Sequence, residues 1–184
     1  MQRYPITGRS LAAAGLVFAL AASSQAGAKV FLSQEEALAL AFGSAAPERR
    51  TAFLTEEQAG QAAEAAGSPL ASRVVVYYVG GPDPNQPSAA FFDTHLVRTL
   101  PETVMILVDA GGRVRRVEIL SFEEPADYMP ARRWLDQFED RPLSPEMETS
   151  RGIRAVSGAT LSSKAITAAV RRALGLHALL VATP

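Results

Sequence analysis

Hydrophobic and polar positions recur at helical spacing in two segments on the N-terminal side of the chain. Ser33 and the glutamates after it precede an apolar stripe that ends near Gly43, and Thr55 precedes an alanine-rich stretch that ends at Gly67. A hydroxyl residue followed by acids is a favoured start of a helix, and glycine is a favoured end. The pattern therefore predicts two consecutive helices.

The spacing then changes to one that is typical of strands. β-Branched and aromatic residues dominate residues 73–79, and further strands are predicted over residues 89–98, 103–108 and 114–120. The glycine-containing segment 109–112 joins the last two strands as a hairpin. Apolar residues predict one buried face of the last strand, formed by Val114, Val117 and Ile119.

Two further helices follow the strands. A short helix is predicted over residues 131–138, and the last helix over residues 161–176, where apolar residues return at helical spacing. Two helices, several antiparallel strands and two more helices are typical of an α+β domain. We expect a twisted antiparallel sheet that is flanked by the N-terminal helices and by the C-terminal helix.

Composition and charge exclude several functions. The chain has 184 residues, a net charge of −1 and no block of basic residues, so nothing favours nucleic acid as a partner. It has no cysteine, which excludes disulfides, thiolate metal ligands and a cysteine nucleophile. His95 and His177 are isolated, so we predict no metal site. Asp93 and His95 have strand spacing, but one strand alone does not make a catalytic triad.

Residues 1–28 are typical of a secretory signal peptide. Arg3 and Arg9 supply the positive segment, residues 11–22 form a short apolar run, and Ala26–Gly27–Ala28 fits the small-residue rule for cleavage. The apolar run is shorter than the ~20 residues of a membrane span, and an uncleaved anchor is the alternative. We therefore expect a domain over residues 29–184 that is periplasmic or otherwise extracytosolic.

The start of the last predicted helix carries the most informative chemistry of the chain. Small and hydroxyl-bearing residues from Ser157 to Ser163 lead directly into this helix. Its first turn has one cation, Lys164, and no acid, against the usual preference for acids there. Unpaired N–H groups and the positive end of the helix dipole suit a phosphate, which would explain the missing acid. The alternative is an ordinary helix start with a solvated threonine hydroxyl.

The segment Ser157–Gly158–Ala159–Thr160 resembles the attachment motif of the FMN-binding domain family. That family includes the flavin-carrying subunits of sodium-pumping quinone reductases and of Rnf-type electron-transport complexes. The resemblance implies that Thr160 carries FMN through a phosphoester bond. It also implies a partner, an exported flavin transferase that uses FAD and Mg²⁺, leaves FMN on the hydroxyl and releases AMP.

The resemblance implies further residues at the flavin. Glu124 and Pro125 stand where many family members carry Glu-Thr-Pro-Gly beside the flavin, although residues 126–130 depart from that pattern. A flavin ring also needs a flat apolar surface, and the candidates for it are Tyr128, Met129, Phe122 and Trp134. The cofactor-binding residues that we predict are Thr160, Ser157, Gly158, Ala159, Ser162, Lys164, Glu124 and Tyr128.

The sequence supports one function and leaves an alternative open. The first is an extracytosolic electron carrier with FMN on Thr160, whose partners are the flavin transferase and a membrane-bound or periplasmic redox protein. Such a chain is a component of a redox system rather than a stand-alone enzyme. The departure at residues 126–130 leaves open a flavin-free ligand-binding or interaction module of the same fold. A serine hydrolase is not supported, because no Gly-x-Ser-x-Gly motif is present.

Overall fold

The structure is a computed structural model and describes residues 29–181. The predicted signal peptide, residues 1–28, lies outside the described residues. Within residues 29–181, no helix combines the length and the apolar character that crossing a membrane requires.

One antiparallel sheet of six strands forms the centre of the described domain, in the order β1-β6-β5-β4-β3-β2. The strands are β1 Lys29–Val30, β2 Glu48–Phe53, β3 Val74–Gly80, β4 Ser88–Leu96, β5 Pro101–Val108 and β6 Val114–Phe122. The predicted β5–β6 hairpin is present, and the Gly112 N–H donates to the Asp109 carbonyl at 2.9 Å. Gly112 has a φ of 74°, a left-handed conformation that suits glycine in a tight turn.

Within residues 29–181, four α-helices accompany the sheet, which confirms the predicted α+β class. They are α1 Gln34–Phe42, α2 Glu56–Ala66, α3 Arg132–Leu135 and α4 Thr160–Leu180. The side chains of Ser33 and Thr55 cap α1 and α2, as their sequence predicts, each within a reciprocal capping box. The short helix predicted over residues 131–138 divides into α3 and a 3-10 turn, Asp136–Phe138.

Both faces of the sheet are covered. The larger core lies between the sheet and α2, α3 and α4, while a smaller apolar cluster lies under α1 on the opposite face. In β6, Val114, Val117 and Ile119 face the larger core as predicted, and Leu120 faces the smaller cluster. Val114 and Val117 share a face three residues apart because the β5–β6 register shifts between Leu107 and Val108.

The edge strand β2 is a structural element that the sequence analysis did not predict. Its residues Glu48–Phe53 pair with β3 along their whole length, but the strand has no residue in the buried class. An edge strand without a buried face lacks the alternation of apolar and polar residues that identifies strands in a sequence. The two-residue β1, which pairs with the end of β6, was also not predicted.

Helix α4 is held in place by close packing against α2. A Cβ atom added at Gly175 would lie 3.1 Å from the Ala62 carbonyl oxygen, so glycine permits the close approach of the two helices. Arg171 donates from Nε to the Ala66 carbonyl at 2.6 Å, at the end of α2. These contacts fix the direction of α4 and therefore the position of its N-terminus, where the predicted attachment motif lies.

Candidate functional site

The N-terminus of α4 carries a solvent-exposed hydroxyl. Thr160 is the first residue of this 21-residue helix and belongs to the exposed class. Its Oγ1 donates a long hydrogen bond, 3.4 Å, to the Val156 carbonyl. Because the bond is long and the residue is exposed, the hydroxyl is free to react at little structural cost.

The first turn of α4 leaves its backbone donors available. Ala159 occupies the cap position and provides no capping side chain, and there is no acid in the first turn. The N–H groups of Thr160, Leu161 and Ser162 have no acceptor within residues 29–181. The first N–H groups of a helix carry partial positive charge, so this turn is a favourable place for an anion.

Ser163 and Gly158 explain why α4 starts at Thr160. The Ser163 hydroxyl donates to the Ala159 carbonyl at 2.9 Å and accepts from the Val156 N–H at 3.2 Å. Gly158 has a φ of 84°, which turns the chain into the helix, and a Cβ added there would meet nothing within 4 Å. Hydrogen bonds to Ser163 therefore hold the turn on its buried side, and the space next to Gly158 is open to solvent.

Ser162 connects the attachment motif to the segment around Tyr128. The buried Ser162 side chain donates from Oγ to the Tyr128 carbonyl at 2.6 Å. On the exposed side, the Arg98 guanidinium lies 4.8 Å from the centre of the Tyr128 ring, within the range of a cation–π contact. Tyr128 is thus fixed at its backbone by α4 and at its ring by the turn between β4 and β5.

These residues surround one small cleft. Its volume is about 170 Å³, and it is lined by Val97, Arg98, Tyr128, Gly158, Ala159, Thr160, Leu161 and Ser162. Binding pockets for small molecules commonly have volumes of about 300–1,000 Å³, so this cleft encloses only part of a ligand as large as FMN. A ligand of that size would therefore need another interaction, in addition to its contacts with the cleft, to stay bound.

The structure brings five of the eight predicted cofactor-binding residues together at this cleft: Thr160, Gly158, Ala159, Ser162 and Tyr128. Ser157 is exposed and precedes the lining residues in the chain. Lys164 lies one turn further along α4 and lines a separate cleft with Glu148 and Thr149. The structure therefore groups the centre of the predicted motif with Tyr128, while Lys164 lies apart.

Glu124, the remaining predicted residue, organises the turn between β4 and β5. Its Oε1 atom accepts hydrogen bonds from the N–H groups of Arg98, Thr99 and Leu100 at 3.2, 3.0 and 3.2 Å. The bond from Thr99 is the main reason why the pKa of Glu124 lies below its usual value. Glu124 also lines a second cleft of about 380 Å³, together with Phe31 and Leu100.

Three residues of the cleft were not predicted from the sequence: Val97, Arg98 and Leu161. Val97 and Arg98 come from the β4–β5 turn, more than fifty residues before the motif, and no local pattern connects them to it. Leu161 had a detectable signal, because it is a large apolar side chain beside the predicted attachment residue. It is 45% exposed and lines the cleft.

The helix start, whose first N–H groups have no acceptor within residues 29–181, lies with an exposed hydroxyl next to a partly apolar cleft, and this arrangement is compatible with a phosphate-bearing ligand. Within residues 29–181, no group of three or more His, Cys, Asp or Glu side chains is arranged to hold a metal ion.

The comparison with protein families supports a flavin as the ligand. A family model described as the FMN-binding domain matches residues 100–175, which include β5, β6, Tyr128 and the attachment motif. The predicted resemblance to this family is confirmed over these residues, and the match supports FMN as the cofactor. The comparisons with curated proteins and with solved structures find no match.

Proposed function

We propose that this chain carries FMN as a phosphoester on Thr160 Oγ1 and acts as an extracytosolic electron carrier. One observation carries the proposal: an exposed threonine hydroxyl stands at the first position of a long helix whose first three N–H groups have no acceptor within residues 29–181. This hydroxyl lies inside the segment that matches the FMN-binding domain.

The environment of Thr160 fits a phosphodiester. A phosphate on Oγ1 would lie beside the free N–H groups of the first turn, which stabilise an anion by roughly 0.3–1 kcal/mol at an exposed site. Gly158 leaves open space where another residue would place a side chain. The exposed hydroxyl of Ser157 is close enough in the chain to offer a further hydrogen bond.

The cleft fits part of a flat ring. Leu161 and Tyr128 provide apolar surface, and Arg98 places one positive charge at the rim. Because the cleft is small, non-covalent contacts alone would hold the flavin weakly, and a covalent bond to Thr160 would prevent its loss. The part of the ring outside the cleft would stay accessible to a redox partner.

Bound FMN supplies electron-transfer chemistry, and the residues of the chain bind and orient it. We expect two partners. An exported flavin transferase would install FMN from FAD, and a membrane-bound or periplasmic redox protein would exchange electrons with it through a small, transient contact. The role is that of a carrier within a redox system rather than of a stand-alone enzyme.

The proposed export follows from residues 1–28, whose charged and apolar segments are typical of a secretory signal peptide. Fractionation of a bacterial host that expresses the full chain tests this part directly. We expect the protein in the periplasmic fraction, shortened by the signal peptide. A full-length product that stays with the membrane would support the uncleaved anchor instead.

Mass spectrometry of the denatured protein tests the attachment. The full chain is co-expressed with an active flavin transferase, and we expect a yellow product that is heavier by FMN less one water. The Thr160→Val chain should show no mass increase, while Ser157→Ala, which removes an exposed hydroxyl from the same motif, should keep it.

Each other outcome of this experiment has a defined meaning. A mass increase that persists in Thr160→Val would place the attachment elsewhere. A wild-type chain that stays colourless, while the same transferase modifies a second acceptor domain, would favour the flavin-free module. Reversible reduction of the attached flavin by a soluble mediator, followed by its visible spectrum, tests the electron-carrier role.

A further inference from the structure

A cluster of four charged or titratable side chains lies between β4, β5 and α4. Asp93 and His95 share one face of β4, Glu102 is paired opposite His95 on β5, and Arg172 extends from α4. His95 Nδ1 lies 2.9 Å from Asp93 Oδ1, and His95 Nε2 lies 3.1 Å from Glu102 Oε2. Arg172 donates to both oxygens of Asp93, at 2.7 and 2.8 Å.

The cluster is largely removed from solvent. The exposed fractions of the side chains are 0% for Glu102, 11% for His95, 13% for Arg172 and 18% for Asp93. The second oxygen of Glu102, Oε1, is buried and has no hydrogen-bond partner within residues 29–181. A buried carboxylate with an unpaired oxygen is unfavourable, so this position favours a neutral carboxyl group or a closely paired one.

Counting hydrogen-bond donors shows that the cluster holds an extra proton. Each ring nitrogen of His95 faces a carboxyl oxygen, but a neutral imidazole has only one N–H and an ionised carboxylate has no donor. Both contacts are hydrogen bonds only if His95 is an imidazolium or if one of the two carboxyl groups, Asp93 or Glu102, is protonated. Each of these arrangements contains one proton more than a neutral histidine beside two carboxylates.

The pKa directions agree with this count. Burial favours the neutral ring of His95, yet its hydrogen bonds to Asp93 and Glu102 outweigh burial and raise the pKa. Burial also raises the pKa of Glu102. Burial opposes ionisation of Asp93 as well, but the hydrogen bonds from His95 and Arg172 lower its pKa to about 2. Asp93 thus stays ionised beside the Arg172 guanidinium, and the extra proton belongs to His95 and Glu102.

We propose that His95 and Glu102 form a buried proton-binding site that holds one proton at pH 7 and controls the charge beneath the β4–β5 turn. With the proton bound, the charges of Arg172 and Asp93 cancel and the His95–Glu102 pair is neutral in sum. When the proton leaves to water, one negative charge remains buried on Glu102. No other reactant is needed for this step.

The groups that face the site come from each neighbouring element. They are Asp93 from β4, Glu102 from β5, Arg172 from α4 and the uncharged Ser68 after α2, whose Oγ accepts from Arg172 at 3.2 Å. On β6 the residue paired with Glu102 is the uncharged Phe122. The charges that set the affinity for the proton are therefore those of the cluster itself.

The site lies at the base of the turn that lines the proposed flavin cleft. His95 precedes Val97 by two residues, which is roughly 7 Å along an extended strand, and Glu102 follows Leu100 by two residues. The turn residues Val97 and Arg98 line the cleft. The Glu102 side chain is fully buried, and salt screens buried charges much less than exposed ones, so a charge on Glu102 acts on the turn with little screening.

A pH titration of the flavin-free full domain tests the proton site independently of the proposed function. Histidine-labelled protein is followed by NMR, and His177 serves as an internal reference because burial lowers its pKa. We expect the His95 ring to titrate clearly above pH 6.5 and the His177 ring below it. In Glu102→Gln, which keeps the size of the side chain, the His95 midpoint should fall by at least one pH unit.

Two results would overturn the proton site. One is a His95 ring in the wild-type protein that is neutral at pH 7; this measurement needs no variant to fold. The other is an unchanged His95 midpoint in a folded Glu102→Gln protein. If the contact between His95 and Glu102 had only a structural role, removing the charge of residue 102 would leave the midpoint of the His95 titration unchanged.

The effect of the site on the cleft rests on the proposed attachment at Thr160, and a second measurement separates the two. In protein whose flavin content is verified by mass, the midpoint potential is measured against pH. We expect an inflection at the pH at which His95 titrates, and no such inflection in Glu102→Gln. A loaded protein without the inflection would disprove the coupling, whereas a chain that never loads would disprove the proposed function alone.

Discussion

At its N-terminal end α4 leaves polar groups open to solvent, whereas about three turns later the same helix carries a mostly buried charge, Arg172, that is paired with Asp93. Thr160 has an exposed hydroxyl and stands beside N–H groups without an acceptor within residues 29–181. Arg172 is mostly buried and donates to Asp93 and to Ser68. Polar groups without a protein partner are able to bind a ligand, whereas polar groups that are hydrogen-bonded within the protein stabilise the folded state. The two regions should therefore respond differently to substitution.

The physical reason is the difference in the cost of desolvation. An N–H group or a hydroxyl at the surface bonds to water when no protein partner is present, so its replacement changes the stability little. A charge that is already buried cannot recover its hydration, and loss of its partner leaves the charge unpaired. Substitutions near Thr160 should change ligand attachment, and substitutions at the buried cluster should change the free energy of unfolding.

The largest expected effect is that of Arg172→Met. The variant removes both hydrogen bonds to Asp93 and leaves a largely buried carboxylate with His95 as its remaining partner. Breaking a buried ion pair in this way costs about 3 kcal/mol or more. We expect a decrease of that size in the free energy of unfolding, measured by urea denaturation at pH 7.

An exposed pair of the same type provides the matched control. Arg115 and Asp140 approach each other at 2.7 Å, as Arg172 and Asp93 do, but their side chains are 53% and 72% exposed. Arg115→Met should cost about 0.5 kcal/mol or less, because solvent screens such a pair. Equal costs for the two substitutions would contradict the contrast between buried and exposed polar groups.

The second effect is a loss of stability in acid that originates at Asp93. Its pKa is about 2 in the folded protein, against 3.8 as its ordinary value. A lowered pKa stabilises the folded state above the ordinary value, and this stabilisation is lost as the pH falls from about 4 to about 2. The shift corresponds to about 2 kcal/mol. Asp93→Asn should be less stable at pH 7, and its free energy of unfolding should not show this decrease in acid. A decrease of the same size in Asp93→Asn would show that other carboxyl groups cause it.

The parts of the fold that the sequence could predict are those that local interactions form. Helices α1 and α2 were predictable because Ser33 and Thr55 define their starts through local hydrogen bonds. The hairpin of β5 and β6 was predictable from its apolar strands and its glycine turn. The edge strand β2 was not, because its pairing with β3 leaves all of its side chains at least partly exposed.

The same limit applies to the candidate site and to the buried cluster. The predicted attachment motif is contiguous, so a local pattern in the sequence was enough to select Thr160 as a candidate, and Tyr128 was selected as an aromatic side chain that could contact a flat ring. Arg98 reaches the cleft only through the β4–β5 turn that Glu124 holds. Glu102 and Arg172 meet His95 and Asp93 through strand pairing and helix packing, which no spacing in the sequence reveals.

The smallest expected effects separate two neighbouring hydroxyls on the first turn of α4. Ser162→Ala removes a buried donor to the Tyr128 carbonyl and should cost about 1 kcal/mol, whereas Thr160→Val removes an exposed hydroxyl and should cost less than about 0.5 kcal/mol. Urea denaturation of both variants, in the flavin-free state, measures the difference. Mass spectrometry of the same two proteins after co-expression with the transferase should show the opposite pattern. Ser162→Ala keeps the proposed attachment residue and should gain the mass of the flavin, whereas Thr160→Val should gain no mass. If Thr160→Val proved to be the less stable variant, its hydroxyl would belong to the folded structure rather than to a ligand.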